Sequence, residues 1–130
     1  MTSYVLDTHA FVLSLAAPKK LGREAARILR RIERGQDQAF LPAVAAAEIA
    51  LLHDLGRIDI GVAELKAALV DAPSVRFLPL DLAQVESFAT LHAVRDPFDR
   101  LIVAAALATG SRLLSKDPAL AESGLVPVVW

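Results

Sequence analysis

Five acidic residues stand where acids are costly. Asp7 ends the apolar run Tyr4-Val-Leu6, and Asp117 comes shortly after Leu113-Leu114. Glu48, Asp96 and Asp99 lie in or beside apolar stretches with helical spacing. A carboxylate in apolar surroundings must be neutralised, paired or bound to a cation. Several together repel one another unless a hard cation sits among their oxygens. Mg²⁺ and Mn²⁺ favour such ligands, and Mg²⁺ also shares substrate phosphates. The chain has no cysteine, which excludes thiolate zinc sites and disulfides. Its three histidines show no metal-ligand spacing such as HExxH.

Each acid also has a plain structural explanation. On a helical wheel of residues 43–55, Glu48 falls inside the apolar arc of Val44, Leu51, Leu55, Leu52 and Ile49. There it is either salt-bridged to an arginine or a ligand. Asp96 before Pro97 reads as a helix N-cap, and Asp99 as a first-turn acid that suits the helix dipole. Yet Asp99 also faces Ile102, Val103 and Ala106. Asp7 and Asp117 both read as caps of following helices, Asp117-Pro118 being a common helix opening. Singly, each is explained by folding. Jointly, the pattern favours a cation-binding cluster.

The elements that must position these acids alternate in type. Apolar strands are expected at residues 4–6, 38–41, 75–78, 112–115 and 127–130. Helices are expected at 22–34, 43–55, 62–70, from 81 onward with Gln84 completing a capping box, and at 98–109 before Gly110. Short, continuously apolar strands separated by helices imply an α/β fold with a parallel sheet covered on both faces. In such folds ligands sit beyond the carboxyl ends of the strands, at a switch in strand order. Asp7 and Asp117 follow two strands at that end.

Composition agrees. At 130 residues, 55% hydrophobic and 22% charged, the chain reads as one domain spanning 1–130, neither disordered nor a charged coiled coil. Its longest uncharged apolar run is too short to cross a bilayer, and the N-terminus lacks a basic region, so the expected compartment is the cytoplasm. The net charge is −1, but with the five acids set apart 14 basic residues face 10 acids. That small excess suits a polyanionic partner.

These motifs, taken in order, resemble the PIN-domain family and, within it, the VapC-type toxins of bacterial toxin–antitoxin pairs. The resemblance rests on Val5-Leu-Asp-Thr-His9, Ala47-Glu-Ile-Ala-Leu-Leu52, Asp96-Pro-Phe-Asp-Arg-Leu-Ile-Val-Ala104 and Leu113-Leu-Ser-Lys-Asp117. It implies a three-layer PIN-like α/β fold, with a short, mainly parallel sheet of about five strands flanked by helices. It implies a metal-dependent endoribonuclease whose acidic quartet is Asp7, Glu48, Asp99 and Asp117. These would hold one or two Mg²⁺ or Mn²⁺ ions, which activate water for attack on phosphorus. Asp96 becomes an extra acid, a cap or an outer partner, while Ser115 and Thr8 are placed to bind a metal-bound water. The implied partners are an RNA substrate, a VapB-like antitoxin and a second copy of the chain, with no membrane.

Residues 19–34 carry seven basic residues against two acids, with Arg23, Arg27, Arg30 and Arg34 on one face. That face is a solvated surface, a track for RNA phosphates or an antitoxin dock. His9 is placed at the mouth of the site. Arg100, the one charge in the last long helix, is open to pairing with a site acid, touching substrate phosphate or a structural ion pair. Lys116 is equally open. His92 reads as a core histidine one turn before Asp96, and Trp130 as a core or dimer contact.

Rival assignments fare worse. A receiver domain needs an acidic neighbour for Asp7, and a haloacid-dehalogenase phosphatase needs an acid where His9 stands. The remaining alternative is a catalytically inactive PIN-like module that binds RNA or protein.

Overall fold

The computed structural model describes residues 1–130. Five strands form one sheet in the order β3-β2-β1-β4-β5, every neighbouring pair parallel. They are β1 (Ser3–Leu6), β2 (Gln38–Pro42), β3 (Val75–Leu78), β4 (Arg112–Leu114) and β5 (Val128–Val129). Seven helices accompany them: α1 (Thr8–Ala16), α2 (Arg23–Glu33), α3 (Ala43–Asp54), α4 (Val62–Asp71), α5 (Leu82–Phe88), α6 (Pro97–Thr109) and α7 (Pro118–Ser123). A short 3₁₀ turn, Pro18–Lys20, links α1 to α2.

The sheet is covered on both faces. Val5 and Leu6 point to opposite sides of β1, as Leu113 and Leu114 do in β4, and all four are at most 1% exposed. That sandwich is the three-layer arrangement expected. The strand order reverses at β1: the chain goes first to β2 on one side, and later to β4 on the other. The crevice between the carboxyl ends of β1 and β4 is therefore the switch point.

Helix α6 is the central beam. Residues 102–106 are at most 1% exposed, so the helix is buried all round. It starts on the Asp96 cap with Pro97 in its first turn and stops at Gly110, whose φ of 60° is left-handed. Its amino end is thus held by a fully packed shaft.

Several expectations need correction. The inward face of α3 is Ala45 and Ile49, both 0% exposed, whereas Leu51 and Leu55 are 44% and 56% exposed. Glu48 therefore sits at the edge of the buried face, not within it. Helix α5 ends at Phe88, so His92 lies beyond it in a turn and is exposed, not a core residue. Gln84 makes no capping box: its side chain donates to the Pro79 carbonyl (2.9 Å), while its backbone N–H donates to Asp81. Trp130 agrees with the core reading: it is half-buried against the core and packs over Gly22.

Candidate active site

The register between β1 and β4 sets the geometry. Leu6 pairs with Leu114, so the next residues, Asp7 and Ser115, come level. The Asp7 N–H continues the ladder to the Leu114 carbonyl (3.2 Å). Asp7 then caps α1, its Oδ1 accepting from the Ala10 N–H at 2.8 Å. Across the crevice the Asp117 N–H donates to the Ser115 hydroxyl (3.1 Å), and Asp117 Oδ1 caps α7 through the Ala119 N–H (2.9 Å). Asp96 caps α6 through the Asp99 N–H (3.1 Å). Three of the acids are thus helix caps, as the sequence suggested. A cap uses one acceptor position of a carboxylate and leaves other lone pairs free.

Glu48 comes from α3 and accepts a hydrogen bond from the Thr8 hydroxyl at 2.5 Å. Thr8 is 2% exposed, so this bond fixes the orientation of Glu48 from inside the fold. The salt bridge considered for Glu48 is not formed. The chain's two ion pairs are Arg27–Glu24 and Arg31–Asp37, and neither involves a site acid.

Asp7, Glu48, Asp96, Asp99 and Asp117 line one cavity of about 380 Å³, with Thr8, His9, Lys116 and Pro118. No hydrophobic residue lines it. The structure thus brings the whole acidic set together, with Thr8 and His9 on the wall and Ser115 beneath. Burial raises the pKa of Asp7, against the Ser115 hydroxyl, the Ala10 N–H and nearby His9, which lower it. Asp99 is raised to about 6, first by desolvation, then by the surrounding charges of Asp96, Asp117, Glu48 and Asp7. Burial is the first cause for both carboxyls; at Asp99 four neighbouring acids add to it, a penalty that a cation among them would relieve.

The donor chemistry fits Mg²⁺ or Mn²⁺: carboxylates and hydroxyls, with no sulfur. No three His, Asp or Glu side chains close into a tight ligand set. They ring an open cavity instead, which suits an ion that keeps several of its waters. Direct ligands would come from Asp7, Glu48, Asp99 and Asp117, with Asp96 at the rim.

A PIN-domain profile matches residues 4–124. The chain belongs to the PIN domain family. This PIN domain also resembles solved structures along nearly its whole length. VapBC2 from Rickettsia felis, bound to a promoter DNA fragment, is 12% identical over 99% of both chains, with a TM-score of 0.71. FitAcB from Neisseria gonorrhoeae is 19% identical over 98% of this chain and 96% of that one, at TM-score 0.68. VapBC-1 from nontypeable Haemophilus influenzae is 15% identical over 98% and 97%, at 0.67. At such identities the likeness is one of fold. A search of curated proteins found no match. No helix of this PIN domain is long and apolar enough to cross a membrane.

The structure also places the arginines. Arg100 is not at the cavity. Its Nε donates to the Val94 carbonyl (2.7 Å) and its guanidinium lies 4.7 Å from the Phe88 ring centroid. It ties the α5–α6 connection to the first turn of α6 and forms no ion pair with a site acid. Along α2, Arg23, Arg27, Arg30 and Arg34 are exposed, and none lines the acid cavity. Arg27 is paired with Glu24 (3.0 Å), and Arg31 with Asp37 (2.7 Å). Sequence reasoning missed Asp37, which is 2% exposed and also accepts from the Thr2 N–H (3.1 Å). Its polar run, Gly35-Gln-Asp37, reads as an ordinary loop.

Proposed function

We propose that this PIN domain is an Mg²⁺- or Mn²⁺-dependent endoribonuclease and the toxin of a VapBC-type toxin–antitoxin pair. One observation carries the catalytic part: five carboxylates without an arginine line a single hydrophilic cavity at the strand-order switch. An RNA- or protein-binding module has no use for so repulsive a cluster. The toxin assignment is supported by the VapBC structures and a toxin–antitoxin complex from Klebsiella pneumoniae among the similar structures.

The bound ion supplies Lewis acidity and lowers the pKa of water. The chain supplies placement. Capping holds Asp7, Asp96 and Asp117, and Thr8 aims Glu48. Ser115 fixes the turn that carries Asp117, and its nearby hydroxyl holds the Asp7 pKa down against burial. Burial and the neighbouring acids raise the Asp99 carboxyl to about 6, and as a ligand of a divalent ion it would be ionised. In this reading water attacks phosphorus in line, the P–O3′ bond breaks and the 3′ oxygen leaves with a proton, giving a 5′ phosphate and a 3′ hydroxyl.

A groove bordered by Phe11, Leu15, Leu29, Ile32, Ala68 and Val75 offers apolar footing for a small antitoxin beside the arginines of α2. Exposed Leu51, Leu55, Leu82 and Val85 favour association with a second copy. The test is cleavage of total RNA with Mn²⁺, Mg²⁺ or EDTA, by wild type and Glu48→Gln. Metal-dependent cutting lost in the variant supports the reading; equal cutting by the variant, or cutting in EDTA, refutes it.

A further inference from the structure

The acid cavity contains one permanent cation, and it is unpaired. Lys116 lies on the wall with the five carboxylates, yet its ammonium comes within ion-pair distance of none of them. Its backbone is fixed on both sides. The Ser115 N–H continues the ladder to the Val129 carbonyl (3.1 Å), and the Asp117 N–H closes on the Ser115 hydroxyl. Its side chain is exposed. The result is a flexible point charge on a rigid base, at the lip where substrate must enter.

Charge balance gives that placement a purpose. One divalent ion leaves the five ionised carboxylates in excess, and two only bring the balance, Lys116 included, to neutrality. A phosphodiester entering the cavity is itself an anion. The remaining attraction from the protein comes from the Lys116 ammonium. A lysine serving as counter-ion to the acids would be paired with them. An ammonium held free suits a nonbridging phosphate oxygen, for which lysine acts as a compact point charge.

We infer that Lys116 binds a backbone phosphate of the RNA at the mouth of the carboxylate cavity, rather than neutralising the carboxylates. The inference rests on the ribonuclease reading above. It separates two readouts that a structural role would move together: loss of Lys116 weakens RNA binding but does not weaken metal binding.

The variants are Lys116→Met, Lys116→Arg and, as a charge-matched control on exposed α4 surface outside the cavity, Lys66→Met. Mn²⁺ binding is measured by calorimetry. RNA binding is measured by anisotropy of a short fluorescein-labelled mixed-sequence oligoribonucleotide in Ca²⁺, across a KCl series. Lys116→Met should bind Mn²⁺ at least as tightly as wild type, since a like charge has gone. Its RNA affinity should fall roughly fivefold at low salt, the size of one unit-charge contact at 4 Å in water. The slope of log affinity against log salt should shrink by about 0.7, the single-strand value for one phosphate. In cleavage, the loss should fall on KM with kcat kept, and Lys116→Arg should restore it. An unchanged slope, a loss equal to that of Lys66→Met, or weakened Mn²⁺ binding overturns the inference. A wild type that binds no Mn²⁺ overturns the ribonuclease reading, and this inference with it.

Discussion

Replacing Asp99 by asparagine should stabilise the metal-free protein at neutral pH, although it removes a site residue. The Asp99 carboxyl titrates at about 6 in the fold, against a reference value of 3.8. Between those values the folded protein holds a proton that the unfolded chain has lost. The contribution to stability is therefore full below pH 3.8, falls as pH rises toward 6 and is absent above it. A gap of about two units corresponds to ~3 kcal/mol at full weight. Asp99 is only half-buried, so water screens the repulsion, and about 1–1.5 kcal/mol is the appropriate size. The favourable dipole of α6 with a first-turn acid takes back a few tenths of that. Net, Asp99→Asn in EDTA should gain about 1 kcal/mol at pH 7, near 4 °C in Tm, and nothing near pH 4. Excess Mn²⁺ should reverse the order. Wild type gains ~2.7 kcal/mol when free ion is a hundredfold above Kd, and the variant gains less. Urea and thermal melts at a series of pH values read all of this. A variant less stable than wild type at pH 7 in EDTA, or a difference that does not change with pH, would refute the electrostatic account.

Arg100→Ala removes the bond to the Val94 carbonyl and the contact with Phe88. It should cost about 1–2 kcal/mol in urea midpoint and raise the Mn²⁺ needed for half-saturation, because the turn carrying Asp96 is loosened; an unchanged midpoint would mean the clamp is idle. Gly22 has an ordinary φ of −63°, so its cost on substitution is steric alone. A Cβ there would meet the Trp130 backbone carbon and Cδ1 at 2.6 Å. Gly22→Ala should cost about 1–3 kcal/mol through overpacking and shift the emission of the single tryptophan. Identical emission and midpoint would show that Trp130 moves aside freely.

What could be read from the sequence were positions where polarity interrupts an apolar run. Asp7 and Asp117 stand out because strands buried on both faces leave them no apolar role. Helix α6 stands out because Asp96-Pro97 and Gly110 bracket a run that only a buried helix can use. Misreadings came from side-chain size. On α3 the leucines drew the wheel toward Leu51 and Leu55, but the inward face uses Ala45 and Ile49. Glu48 was thus chosen for facing the core, whereas it borders the cavity. Helix α1 leaves no trace in the sequence because residues 8–16 are too apolar to show a period. Arg100 and Arg31 were illegible for another reason. Their partners, the Val94 carbonyl, the Phe88 ring and Asp37, lie across the adjacent turn, beyond the i, i+3 and i, i+4 spacings by which a helix pairs its side chains.

The central claim is that the acids of this PIN domain hold a divalent ion for RNA hydrolysis. The most direct measurement is calorimetric titration of Mn²⁺ into wild type and Asp7→Asn, with RNA cleavage run on the same samples. Asparagine can still cap α1, so the fold at Asp7 is preserved while the charge is lost. The account predicts that binding and cleavage are present in wild type and vanish together in the variant. Wild-type protein, free of antitoxin, that neither binds Mn²⁺ nor cuts RNA would contradict it.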